Sequence, residues 1–181
     1  MSQDNTTGTG SPSTGQATPP LVVNAQYVKD LSFEVPGAPQ IYSTLRSPPQ
    51  VSVNLDVQVK RLTDDQLVFE VTLVARVEAV KPTEPGPGPL NGTDTPVIVF
   101  LAELSYAGIF TLTGIPENQI EPVLLVEGPR LLFPFARNIL ADVTRDGGFP
   151  PVLLGPIDFL AMWHARRGQA TVTPAPEALN S

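Results

Sequence analysis

Hydrophobic and polar positions alternate along four stretches of the chain. In the first, YVKDLSFEVP from Tyr27 to Pro36, an extended backbone sends Leu31, Phe33 and Val35 to one side and Asp30, Ser32 and Glu34 to the other. The second, Val51 to Arg61, sets Val51, Val53, Leu55, Val57 and Val59 against Ser52, Asn54, Asp56, Gln58 and Lys60. The third, Leu67 to Val80, opposes Leu67, Phe69, Val71, Leu73 and Val77 to Glu70, Thr72, Arg76 and Glu78, and Thr63-Asp64-Asp65-Gln66 before it reads as a hairpin turn. In the fourth, Pro96 to Tyr106, the sets are Ile98, Phe100, Ala102, Leu104 and Tyr106 against Val99, Leu101, Glu103 and Ser105. Each pattern predicts a strand.

The period then changes. Phe135, Ala136, Ile139, Leu140 and Val143 recur every three or four residues, which predicts a helix beginning near Pro134 and stopping at Asp146-Gly147-Gly148. A second helix is expected from an Asp158 N-cap, through a face of Phe159, Met162 and Trp163, to Arg166, Arg167 and a terminating Gly168. Strands followed by helices indicate an α+β domain, a four-stranded antiparallel sheet with helices packed on one face. The apolar strand and helix faces together exceed what one small layered monomer buries, which points to self-association or an apolar groove.

Residues 1–22 open with MSQDNTTGTGSPSTGQATPP, which carries one charge and no large apolar side chain after Met1, and are expected to form a disordered tail. The domain is expected over 23–167, interrupted by a mobile Pro/Gly-rich loop at 81–96, and residues 168–181 return to tail composition. No signal-peptide pattern opens the chain and no run of about 20 apolar residues occurs, so a soluble, cytoplasmic protein with no direct membrane insertion is expected. The absence of cysteine removes disulfides, thiolate zinc sites and cysteine nucleophiles, and fits a reducing compartment.

Most of the net charge of -7 belongs to the folded part, because residues 24–167 hold 16 of the 18 acids and all 11 bases. That balance argues against a nucleic-acid partner and for a basic protein segment. No Gly-Lys pair supports a phosphate-binding loop, and His164 is the only histidine, which leaves metal sites and a serine triad without material. Its place beside Arg166 and Arg167 reads as solvated or helix-capping. Asp30 and Glu34 are about 13 Å apart along a strand, too far for a catalytic carboxylate pair. No catalytic residue, metal or cofactor is expected.

The strings YVKDLSFEVPGAP, FLAELSYAGIF and LLFPFARNILADVTRDGGFPPVLLGPIDF, in that order, resemble the SecB family of bacterial protein-export chaperones over roughly residues 25–167. The resemblance implies a homotetramer, a dimer of dimers with the long helices sandwiched between paired sheets. It implies binding of unfolded precursor proteins in apolar grooves and delivery to the SecA motor ATPase, with no nucleotide consumed by the chaperone. Asp30, Glu34, Leu101 and Glu103 match the acidic surface that docks a basic, zinc-bearing tail of SecA. Val51, Val53, Leu55, Phe159, Met162 and Trp163 match the client groove.

An alternative is a SecB-like chaperone dedicated to one partner, such as an antitoxin. The intact DLSFE and LAE strings favour general export, because a dedicated chaperone has less need of a SecA face. A hydrolase built on scattered acids lacks the histidine and metal constellations such chemistry uses.

Overall fold

A computed structural model describes residues 20–82 and 96–170. Residues 1–19 and 171–181 of the expected tails, and 83–95 of the expected loop, lie outside the described residues. Strands β1 (Leu21–Glu34), β2 (Gln50–Arg61), β3 (Val68–Val80) and β4 (Ile98–Leu112) form one sheet in the order β1-β4-β3-β2, with every pair antiparallel. Leu21 and Val22, expected in the tail, pair with Leu112 and Thr111 and so belong to the sheet. The expected hairpin joins β2 to β3, and Arg61 donates from Nε to the carbonyl of Thr63 and from Nη2 to that of Asp64, each at 2.9 Å.

The alternation predicted for β3 and β4 is the pairing observed from Phe100 onward; at the start of β4 a register shift makes Val99 the extra residue, so Val99, expected on the outer face, is fully buried and Ile98, expected on the core face, is exposed. Leu73 lies opposite Tyr106, Ala75 opposite Leu104 and Val77 opposite Ala102, and all six side chains are buried on the helix side. β4 runs six residues past the predicted end at Tyr106. Its extension contains Gly108, where an added Cβ would stand 2.8 Å from Leu132 Cδ2, so the glycine lets a helix approach the sheet. β1 has two irregularities, with Asn24 and Lys29 as the extra residues. Beyond the second, Leu31 pairs with Leu104 and Phe33 with Ala102, as the alternation requires. Phe33 packs on the core, yet Leu31 is 41% exposed, because β1 is an edge strand only partly covered by the helix.

A short helix α1 (Ile41–Thr44) follows β1. After the sheet, α2 (Glu117–Pro122), a π-helical segment (Val123–Glu127) and α3 (Gly128–Asp146) run without a break. The helix expected from Pro134 therefore starts 17 residues earlier, and Pro134 lies inside it, exposed. Prolines at 122 and 129 bracket the wide π-helical turn, which suits the missing amide donors. The stripe of α3 against the sheet is Leu132, Ala136, Leu140 and Thr144, none above 1% exposed. Phe135, outside that stripe, is 50% exposed in the single chain and stacks its ring 6.1 Å from that of Tyr106.

Helix α4 (Phe159–Ala170) begins as predicted, with Asp158 Oδ1 accepting from the Ala161 amide at 2.9 Å. It does not stop at Gly168; glycine lowers helix propensity by about 1 kcal/mol but does not by itself end a helix.

Candidate functional site

The two faces of the sheet differ in chemistry. On the helix side, the odd-numbered residues of edge strand β2 line three hollows placed end to end. Val51, Val53 and Leu55 face Phe100, Pro150 and Val152 across a cavity of about 550 Å³. Leu55 and Val57 continue into a second of about 260 Å³, whose other walls are Leu125, Phe159, Met162 and Trp163. Val59 and Arg61 line a third of about 330 Å³ beneath Ile120 and Leu124. Leu55 is shared by the first two hollows and Leu125 by the last two, so one largely apolar channel follows β2 from Val51 to Arg61, about 33 Å at the rise of a strand.

All six residues expected in a groove line this channel, though in unequal ways. Val51 and Val53 are exposed, whereas Phe159 is 2% exposed and packs edge-on to Phe133 at 5.8 Å, anchoring α4 to the core. Trp163 is half-buried, donates from Nε1 to Glu121 at 3.2 Å and carries the Arg167 guanidinium 5.1 Å from its ring centre. Arg166 fastens α4 to β2 through Asp56 at 2.7 Å and the Val57 carbonyl at 2.8 Å.

Sequence reasoning missed the opposite wall. Residues 149–154 lack regular structure and have no period to detect. They are set by Thr144, fully buried at the end of the α3 stripe, whose hydroxyl donates to the Leu140 carbonyl at 2.8 Å and accepts from the Val152 amide at 3.0 Å. A threonine inside an otherwise apolar stripe was the available signal. The wall is also held by aromatic packing, with Phe149 5.0 Å from Phe100 and 5.3 Å from Tyr42, and Phe100 5.6 Å from Phe33. Gly147 permits it, because an added Cβ would meet the Phe33 ring at 2.2 Å.

The face away from the helices carries Asp30, Glu34, Leu101 and Glu103, all on the adjacent strands β1 and β4. Register sets Glu34, Leu101 and Glu78 side by side, and in the next row Ser32, Glu103 and Arg76. Arg76 pairs with Glu103 and approaches Glu78 at 3.9 Å. Further along, Glu70 is buried on this face and accepts from the Tyr27 hydroxyl and from Lys29 Nζ at 2.7 Å. Hydrogen bonding from Lys29, then Tyr27, holds the Glu70 carboxyl below its usual range, and Glu70 in turn pushes the Tyr27 phenol up. Among the described residues no three histidine, cysteine or carboxylate side chains gather as a metal site, and no helix is long and apolar enough to cross a membrane.

Residues 14–170 match the family model described as preprotein translocase subunit SecB. The protein-export protein SecB of Acidiphilium cryptum is 69% identical over 152 residues, covering 83% of this chain and 90% of that protein. Its counterpart in Granulibacter bethesdensis is 63% identical over 166 residues, covering 92% and 91%. The fold is shared with the Mycobacterium tuberculosis Rv1957 SecB-like chaperone, solved with a ChAD peptide from the Rv1956 HigA1 antitoxin, at a TM-score of 0.57, 14% identity, and coverage of 76% of this chain and 90% of that one. An apolar channel on one face of a four-stranded sheet, an acidic row on the other, and this similarity along almost the whole chain give one conclusion: the chain belongs to the SecB family of protein-export chaperones.

Proposed function

We propose that the channel along β2 holds unfolded precursor proteins in a translocation-competent state, and that the acidic row on the opposite face hands them to the SecA motor ATPase. The observation that carries this reading is the separation of chemistries across one sheet. The channel offers apolar walls with few hydrogen-bonding demands, which suits aromatic and aliphatic content in any order. The row around Leu101 offers carboxylates to a basic segment and an apolar contact at its centre.

The working form is a cytoplasmic homotetramer, a dimer of dimers. Val28, Leu31, Leu131 and Phe135 leave an exposed apolar area on the β1 edge and α3, which a second copy would cover. A client crossing several protomers gains avidity by effective concentration, so each contact can be weak. The test is to add the purified protein to a refolding precursor and to SecA. Slowed refolding together with SecA binding is expected, and a protein that does neither would overturn the export reading.

A further inference from the structure

Three cross-strand rows make up the acidic face, namely Asp30–Ser105–Val74–Asp56, Ser32–Glu103–Arg76–Asn54 and Glu34–Leu101–Glu78–Ser52. Arg76 is the only basic residue in them. Its Nη1 is paired with Glu103 and its Nη2 reaches toward Glu78, while Asp56 at the far edge is taken by Arg166. Lys29, the nearest cation on β1, is held by Glu70. Asp30 and Glu34 make no ion pair among the described residues. The face therefore presents open carboxylates on β1 and carboxylates already engaged on β3 and β4.

We propose that Arg76 is a built-in competitor for the basic partner of this face, setting the strength and selectivity of docking by occupying Glu103 and Glu78. The inference rests on the reading that the face docks SecA. A cation arriving at Glu103 exchanges with Arg76 instead of meeting an open carboxylate, and it does so against the repulsion of the displaced guanidinium. The exchange returns little, because both pairs are exposed to water. A partner is favoured when its basic groups straddle Leu101, meeting Glu34 on one side and Glu78 on the other. Glu78 thereby joins the docking face, a role that strand alternation alone did not assign to it.

Titration calorimetry of the full chain with the basic, zinc-bearing C-terminal peptide of SecA tests this, at ionic strengths of about 0.02 M and about 0.2 M. Arg76→Gln should tighten binding about three- to tenfold at low salt and by less at high salt, while Glu78→Gln should weaken it about as much. Arg76→Lys, which keeps the charge, should stay within about twofold of wild type. The gain from Arg76→Gln should shrink in a Glu103→Gln background, where the contested carboxylate is gone. Unchanged or weaker binding by Arg76→Gln, beside a wild-type chain that binds, would overturn the role of Arg76 alone. No binding by wild type to the peptide or to whole SecA would instead overturn the docking reading beneath it.

Discussion

At the scale of the residue, Glu70 shows how the outer face is held without an apolar layer. Its buried carboxylate ties Tyr27 and Lys29 of β1 to β3 across the intervening β4, and it does so at the irregularity where Lys29 is the extra residue. Replacing it with glutamine leaves Lys29 without its counter-charge, and Glu70→Gln should cost about 1–3 kcal/mol, measured by chemical unfolding at fixed protomer concentration. The sign of the pH dependence follows from the shifts. Because the folded Glu70 carboxyl lies below its usual range, its contribution is complete above that range and is lost as pH falls through the folded value. Tyr27, raised above 10.0, contributes below that value and loses the contribution as pH climbs past it. The acid limb of stability against pH should therefore be shallower in Glu70→Gln. An unaltered acid limb would show that the cluster is not a source of stability.

At the scale of the element, the strands were legible because one face of each is apolar and a period of two survives any change of neighbour. Helix α3 was legible in its second half only. A π-helical turn between Pro122 and Pro129 carries the helix upstream of Pro134. Helix α3 is apolar on two sides, with Leu132, Ala136 and Leu140 buried toward the sheet and Leu131 and Phe135 exposed in the single chain. A periodic pattern reports that a face is apolar, not which neighbour covers it. The channel was half legible: β2 and α4 have periods, but the 149–154 wall is fixed by the single hydroxyl of Thr144. Thr144→Val should leave the Val152 amide unsatisfied and cost about 1–2 kcal/mol in chemical unfolding. The same variant should weaken client capture, since the wall moves; full stability with normal capture would deny Thr144 that role. Across the channel, half-buried Trp163 should change its emission when unfolded client is added, and an unchanged spectrum at saturation would place it in the core instead.

At the scale of the whole molecule, the sheet serves as a partition, with an apolar channel on one side and carboxylates on the other. The proposed tetramer adds length to the channel and covers the outer stripe of α3. Phe135→Glu sets a charge in that stripe, and light scattering should find species smaller than the tetramer proposed for wild type; an unchanged mass would place the subunit contact elsewhere. The partition itself is the central claim. Asp30, Glu34 and Glu103 project from the face opposite the channel, so neutralising them should disturb docking without reaching the client walls. The direct measurement is a side-by-side titration of the triple variant Asp30→Asn, Glu34→Gln, Glu103→Gln with SecA and with an unfolded precursor. SecA affinity should fall by about tenfold or more at low salt, and the loss should narrow as salt rises, while client affinity stays within about twofold of wild type. Equal losses for both partners, or undiminished affinity for SecA, would contradict the assignment of the two faces to separate tasks.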